Sequence, residues 1–248
     1  MDYRAALVEA NRAFAQTAFA GDPSTPIPTC PGWSMLQLIR HVGRGDRWAA
    51  HIINTGSGAD LDPRTVPDGR PPDNPDGARA WLESSPRVIL GAVAAIGPDT
   101  TVATFLGPRP AHWWIRRRLH EATVHGADAA LATGQPYQLT SEIAADGIEE
   151  WLDRLTAELP SRAEIALANG ATLMLSAPDL GLSWTIRGLE SGIEWNRGVT
   201  TPARTVTLSG PADALFLALV RRRTAEDARL DIVGDAATWT TWLTETPL

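Results

Sequence analysis

The sequence predicts an α+β protein of two domains, in which a helical domain is followed by a small α/β domain. Two observations predict this organisation. Through the first 158 residues, apolar residues recur every three or four positions, which is the spacing of amphipathic helices. From Glu164 onward, short runs with β-branched or aromatic residues alternate with Gly, Asn and Pro turns, as is typical of strands. We place the boundary near Pro160, so that the domains cover residues 1–158 and 161–248.

The helices of the first domain are predicted from their starts and ends. The first covers residues 2–20, and the second runs from a capping box of Ser34 and Gln37 to about Asn54. The Gly-, Pro- and Asp-rich segment 56–75 is predicted as a loop. Up to four helices joined by loops favour a bundle, with a fifth helix leading out of it. The remaining predicted helices are a third from an Asp76 cap to Ile96 with a kink or break at Pro86, a fourth from Pro110 to Gly134, and a fifth from Ser141 to Glu158, where Pro160 stops it.

The second domain is predicted to contain a small sheet and two short helices. The helices are expected at Pro211 to Arg222 and at Asp235 to Leu243, with the strand LDIVGD between them. The other predicted strands are IALANG, TLMLSA, LSWTIRG, GIEWNRG and RTVTLSG.

Composition excludes several classes of protein. A formal net charge of −7 over 248 residues argues against nucleic-acid binding, which depends on a basic surface. The single cysteine, Cys30, excludes an internal disulfide or a multi-thiolate metal site, and we interpret it as a packing residue. Neither a signal peptide nor a membrane span is recognisable, so we expect a cytoplasmic protein. The motifs of P-loop, dinucleotide-binding and serine-hydrolase proteins are also absent.

The histidines suggest a metal site. Glu121 and His125 are four residues apart, which places them on one face of the fourth helix, and His41 on the second helix is able to complete a three-ligand set. Two imidazoles and one carboxylate with an open fourth position are typical of catalytic zinc, although iron, nickel and manganese accept the same ligands. His120 is a weaker alternative to Glu121. The spacing also occurs by chance, and an inward histidine is often only a hydrogen-bonded core residue.

Residues around this predicted site suggest supporting roles. Asp128 is placed to orient the imidazole of His125, and Arg117 is four residues before Glu121, which suits an ion pair. The runs Arg116–Arg118 and Arg221–Arg223 fit either an anion site or a solvated face. Four tryptophans lie near the predicted ligands in sequence, and burial explains most of them, although one or two are candidates to line a pocket. They are Trp33, Trp48, Trp113 and Trp114.

Three segments resemble the mycothiol-dependent maleylpyruvate isomerases. They are TCPGWSMLQLIRHVGRGDRWA at 29–49, RRRLHEATVHGADA at 116–129 and LSGPADALFLALVRR at 208–222. The resemblance implies a DinB-like four-helix bundle followed by a small domain similar to sterol carrier proteins. It implies that His41, Glu121 and His125 bind zinc, and that Arg221 of the second domain reaches the active site. Relatives often have glycine before this arginine, where Val220 stands here.

The resemblance also implies an activity. Mycothiol would be the thiol cosubstrate, and its zinc-bound sulfur would attack an electrophilic small molecule for isomerisation or S-transfer. We expect a monomer or homodimer with small-molecule partners, no nucleic acid and no membrane. The alternative is a non-catalytic small-ligand-binding protein whose metal site is structural or vestigial.

Overall fold

The computed structural model of the chain describes residues 1–158, 166–199 and 205–246. The chain divides into two compact units, Met1–Gln138 and Leu139–Leu248, which are described separately below. The first unit is helical and the second combines helices with a five-stranded sheet, which confirms the predicted α+β organisation. Among the described residues, no helix is both long and apolar enough to cross a membrane.

Four α-helices form the first unit, in agreement with the sequence analysis. The helix α1 begins after an Asp2 cap, and the predicted capping box of Ser34 and Gln37 opens α2. The residues after α2 and α4, Gly56 and Gly134, adopt the left-handed backbone conformation. Glycine suits these positions because that conformation strains residues with a Cβ atom. The bounds are α1 Tyr3–Ala18, α2 Met35–Thr55, α3 Pro75–Ile96 and α4 His112–Thr133.

Three local details of the first unit differ from the prediction. The cap of α3 is Asn74, which accepts from the Gly77 amide, and not Asp76, because Pro75 takes the first helical position where no amide donor is needed. The helix continues through Pro86 without a break. The third difference is a two-stranded antiparallel sheet of β1 (Thr101–Val102) and β2 (Arg109–Pro110) between α3 and α4, which was not predicted.

The bundle buries its apolar stripes between α1 and α4 and between α2 and α3. The α2–α3 contact depends on Gly43, because a Cβ atom there would lie 2.3 Å from the ring of Trp81. The buried core consists of two apolar clusters, and both contain residues of α2 and α4. Among the largest fully buried side chains of this unit are Leu7, Phe14, Met35, Leu38, Ile39, Ile52, Leu82, Ile89 and Trp114.

The segment between α2 and α3 is a loop, as predicted, and α2 and α3 anchor it. The Arg44 side chain donates to the Gly69 carbonyl at 2.9 Å, and the Trp48 indole donates to the Leu61 carbonyl at 2.8 Å. Trp81 binds the backbone of Asp68 in the same way. A short 3-10 helix, Pro63–Thr65, interrupts the loop.

The second unit contains α5 (Ser141–Glu158), α6 (Ala212–Leu219), α7 (Ala236–Glu245) and one sheet. The strand order is β5-β4-β3-β6-β7, with only the described β3–β6 pair parallel. The sheet packs on α5 and α6, and Glu149 of α5 accepts from the Trp184 indole at 3.0 Å. The strand bounds are β3 Thr172–Ala177, β4 Leu182–Leu189, β5 Gly192–Arg197, β6 Val206–Ser209 and β7 Asp231–Gly234.

One predicted strand in this region is not formed within the described part of the chain, and the described contacts divide the chain before the predicted domain boundary. The predicted strand IALANG is absent over its described residues 166–170, which form bends and turns, and Ile165 lies outside the described residues. Pro160, near the predicted domain boundary, also lies outside them. The described contacts divide the chain after Gln138, because the apolar face of α5 packs on α6 and β5 and belongs with the second unit.

Candidate metal centre

His41, Glu121 and His125 converge in the first unit. One ligand atom from each lies within 4.8 Å of the other two. The Glu121 Oε1 atom is 2.9 Å from His41 Nε2 and 3.3 Å from His125 Nε2. The structure therefore brings together the three residues predicted as ligands, although they are separated by as many as 84 positions in the sequence.

The local geometry follows from the helices that carry these residues. Glu121 and His125 are one turn apart on α4, so their side chains lie one above the other. The packing of the bundle brings His41 of α2 to the same point, with ring centroids of the two histidines 4.9 Å apart. Trp33, just before α2, contacts both rings, with centroids 5.0 Å from His41 and 6.4 Å from His125. An indole thus covers the pair of imidazoles.

The second carboxylate oxygen of Glu121 is engaged by Arg117, its neighbour one turn earlier, as the spacing predicted. Burial opposes the ionisation of Glu121, but the charge of Arg117 and the hydrogen bonds to both histidines outweigh it. The pKa of Glu121 is consequently held well below its usual value. The carboxylate is ionised at neutral pH, which is the form that binds a cation.

The other nitrogen of His125 is bound by Asp128. The distance from Nδ1 to Asp128 Oδ2 is 2.8 Å. Burial disfavours the imidazolium, but the bonds to Asp128, Cys30 and Glu121 prevail and raise the pKa of His125 to about 10. Without a metal ion this ring is therefore protonated at neutral pH, and a metal ion would replace the proton.

His41 differs from its two partners in its environment. Its side chain is 38% exposed, against 19% for Glu121 and 9% for His125. Burial of part of the ring lowers the pKa of His41 and outweighs the opposing effect of Glu121. The ring is neutral at pH 7 and has a lone pair to offer, and the cluster is accessible to solvent on its side.

This donor set fits a divalent transition metal ion. Two imidazole nitrogens and one carboxylate oxygen suit zinc, and iron, nickel and manganese accept them as well. Three protein ligands leave a coordination position for a substrate atom, and the exposed side of His41 is where that atom could approach.

The alternatives from the sequence analysis are placed elsewhere. His120, the second choice for Glu121, is 1% exposed and is not among the converging ligand residues within the described part of the chain. Trp48, Trp113 and Trp114 form edge-to-face pairs with one another, so burial accounts for them. Trp33 alone of the four contacts the predicted ligands among the ring contacts of the described residues.

The arginine run of α4 is not a solvated face throughout. Arg118 is 5% exposed and donates through Nε to Asp46 Oδ1 at 2.7 Å. Arg117, 8% exposed, is bound to Glu121. Sequence reasoning did not find the partner of Arg118, because Asp46 is 72 residues away on a different helix.

Two further residues at the site were not assigned to it from the sequence. The Thr29 hydroxyl donates to Asp128 Oδ1 at 2.5 Å, and the Cys30 thiol lies 3.7 Å from Oδ2. The thiol, Asp128 and His125 also form a group with ligand atoms within 4.8 Å. The segment at residues 29–49 contains both residues, so its resemblance to the family was the available signal.

Arg221 lies in the second unit, at the end of α6, with a left-handed backbone (φ 57°). Its guanidinium binds the backbone carbonyls of Leu243 and Thr246 at the end of α7, and the Thr246 hydroxyl at 2.9 Å. A cation there is favourable because a helix C-terminus carries partial negative charge. The role of Arg221 as an anion clamp stays a prediction.

Comparison with known proteins decides the family of the chain. The sequence profile of the mycothiol maleylpyruvate isomerase N-terminal domain matches residues 4–130, and that of the C-terminal domain of the same family matches residues 142–241. The chain belongs to the mycothiol maleylpyruvate isomerase family. This confirms the resemblance inferred from the three segments and supports the expectation that the chain is an enzyme.

Two curated proteins are similar to about half of the chain. Two proteins of Mycobacterium tuberculosis, "Uncharacterized protein MT0763" (strain CDC 1551 / Oshkosh) and "Uncharacterized protein Rv0738" (strain ATCC 25618 / H37Rv), are each 33% identical to the chain over 128 residues. The match covers 49% of this chain and 60% of each relative.

Among solved structures, the mycothiol-dependent maleylpyruvate isomerase and a mutant of it share the fold. The TM-score is 0.59 for the mutant, at 17% identity, over 90% of this chain and 89% of that one. For the unmutated enzyme it is 0.57, also at 17% identity, over 87% and 86%. These structures support the two-unit architecture.

Proposed function

We propose that the chain is a zinc-dependent enzyme that uses mycothiol to isomerise an electrophilic small molecule or to transfer sulfur to it, in the manner of a maleylpyruvate isomerase. The observation that carries the proposal is the convergence of His41, Glu121 and His125 within 4.8 Å, with one side accessible to solvent. Membership of the family supports mycothiol as the thiol. The zinc ligands would be these three residues.

When bound, zinc supplies the positive charge that favours a thiolate over a thiol at neutral pH. The chain contributes the geometry and the charge balance. Arg117 binds the Glu121 oxygen that faces away from the histidines, which leaves Oε1 directed at the shared point. Trp33 covers the imidazole rings and limits the freedom of His41.

For a substrate of the maleylpyruvate type, the thiolate would add to one carbon of the cis double bond, and the electron pair would move to the conjugated carbonyl. The resulting single bond is free to rotate. Return of the electron pair and loss of the thiolate would then yield the trans isomer, so that no oxidant or reductant is consumed. In an S-transfer reaction the carbon–sulfur bond would persist, and the enolate would take up a proton from solvent to give a thioether.

The first test is metal content. The protein supplemented with zinc should contain about one ion per chain by elemental analysis. His41→Ala and His125→Ala should each lose it, while His51→Ala and His112→Ala, on the same two helices, should retain it. A folded wild-type protein without zinc after supplementation would contradict the proposal.

The second test is turnover. The zinc-loaded protein would be incubated with mycothiol and a panel of electrophiles that includes maleylpyruvate, while thiol and product are monitored. Isomerase activity should form the trans product without net thiol consumption, whereas transferase activity should consume thiol. An inert, zinc-loaded protein, with a melting temperature that falls sharply on zinc removal, would favour a structural metal in a binding protein.

A further inference from the structure

We infer that Asp128 is a positioning residue for His125, and that Thr29, in the loop before α2, holds Asp128 in that role. The inference rests on the proposed function, because it concerns a ligand of the proposed zinc ion. It adds a connection from the α1–α2 loop to the metal centre, through a carboxylate that is not itself a ligand.

Asp128 is fully buried, and both of its oxygens are engaged. Oδ2 accepts from His125 Nδ1 at 2.8 Å, and Oδ1 accepts from the Thr29 hydroxyl at 2.5 Å. A buried carboxylate needs such donors to compensate for its lost hydration. The Cys30 thiol, 3.7 Å from Oδ2, is a third partner and comes from the same loop as Thr29. Because these donors come from α4 and from the α1–α2 loop, the carboxylate has little freedom to turn.

The bond to Nδ1 determines which nitrogen of His125 is available. An imidazole that donates from Nδ1 presents the lone pair of Nε2 once its second proton is lost. Nε2 is the nitrogen that lies 3.3 Å from Glu121 Oε1, toward the shared point. Asp128 therefore selects the tautomer that binds a metal ion there, and because it contacts the opposite nitrogen it is not placed to bind the same ion.

The α1–α2 loop restrains the same ring from a second direction. Trp33, four residues after Thr29, is nearly parallel to the His125 ring, at an interplanar angle of 23°. Two backbone hydrogen bonds fix the shape of this loop. The Ile27 amide donates to the Trp33 carbonyl at 2.9 Å, and the Trp33 amide donates to the Cys30 carbonyl at 3.0 Å. The same loop therefore restrains the His125 ring in two ways, at its edge through Thr29 and Asp128 and at its face through Trp33.

The test compares the zinc affinity of variants by competition with a chromophoric chelator. Asp128→Asn and Asp128→Ala should weaken zinc binding by about 10- to 100-fold, the usual effect of removing a residue that orients a ligand. Thr29→Val should weaken it less, and Thr29→Ser, which keeps the hydroxyl, should match the wild type. Cobalt-loaded Thr29→Val should also show a shifted visible spectrum that Thr29→Ser does not show.

Circular dichroism and the melting temperature of the metal-free variants separate positioning from folding. Should the Asp128 variants fail to fold, the Thr29→Val and Thr29→Ser pair decides. Folded Asp128 variants with zinc affinity within twofold of wild type, or equal affinities for the two Thr29 variants, would overturn the inference and leave the proposed function standing. A wild-type protein that binds no zinc would instead overturn the proposed function first.

Discussion

Two polar clusters join α2 to α4 in the first unit, and they differ in how completely their members satisfy one another. In the first, which we call the structural cluster, Asp46 accepts from Arg118 at 2.7 Å and from the Ser85 hydroxyl at 2.6 Å, and Arg118 also donates to the Val42 carbonyl at 3.1 Å. Donors and acceptors are matched, and all three side chains are buried.

The second is the candidate metal centre, where one carboxylate oxygen is shared by two imidazoles. Glu121 Oε1 faces Nε2 of both His41 and His125, and without a metal ion the contact depends on imidazole protons that a metal ion can replace. This cluster is also the more exposed of the two. The comparison indicates that a permanently charged pair such as Asp46 and Arg118 stabilises the bundle, whereas a carboxylate paired with imidazoles, which can lose their protons, provides a site for a metal ion.

The largest expected effect is at the structural cluster. Asp46→Ala leaves the Arg118 charge buried without its carboxylate, and the free energy of unfolding should fall by about 3–5 kcal/mol. Urea denaturation of the metal-free protein would measure the loss. The exposed Arg12–Glu9 pair provides the control, since Glu9→Ala should change stability little. Equal losses of unfolding free energy in Asp46→Ala and Glu9→Ala would show that the buried pair stabilises the protein no more than the exposed pair does.

The stability of the metal-free protein should depend on pH through His125. The folded-state pKa of His125, about 10, lies above its usual 6.5, so its contribution to stability is fully present below pH 6.5 and is lost as the pH rises through 10. With chelator present, the free energy of unfolding should fall over this range, with a slope of at most about 1.4 kcal/mol per pH unit from this group. His125→Gln should flatten the curve, and an identical curve for this variant would contradict the assignment.

A glycine tests how tightly the structural cluster is packed. A Cβ atom at Gly45 would lie 2.4 Å from the nearest atom of the Arg118 guanidinium, so Gly45→Ala should displace that side chain and cost about 1–3 kcal/mol in the free energy of unfolding. A Cβ atom at Gly91, inside α3, would instead project into open space. Gly91→Ala should therefore be neutral or stabilising, as alanine favours helix. Thermal unfolding of both variants would show whether Gly45→Ala lowers the melting temperature while Gly91→Ala does not.

The smallest effect extends the comparison to the second unit. Arg221 binds the carbonyls at the end of α7, so Arg221→Gln should lower the free energy of unfolding by about 0.3–1 kcal/mol. Arg223→Gln, at an exposed neighbouring position, should not change it. If Arg221→Gln left stability unchanged and reduced turnover, the anion role implied by the family resemblance would be favoured over the capping role.

Much of the fold was predictable because its signals are local. The capping box at Ser34, the glycine that ends α4, and the strands β3 to β7 depend on residues that are close in sequence, and each was predicted near where the structure has it. The failures were of the same local kind. Pro75 moved the cap of α3 to Asn74, and residues 166–170 form bends and turns instead of the predicted strand.

The candidate site divides in the same way. The face shared by Glu121 and His125 is a property of helical spacing, so it is predictable from their positions in the chain. Three contacts at the site join residues that are far apart in the sequence. The separation is 72 positions for Asp46 and Arg118, 80 for His41 and Glu121, and 99 for Thr29 and Asp128. Only the packing of α2 and the α1–α2 loop against α4 decided those, because pairing at such separations follows from how apolar faces are buried and leaves no periodic signal in the chain.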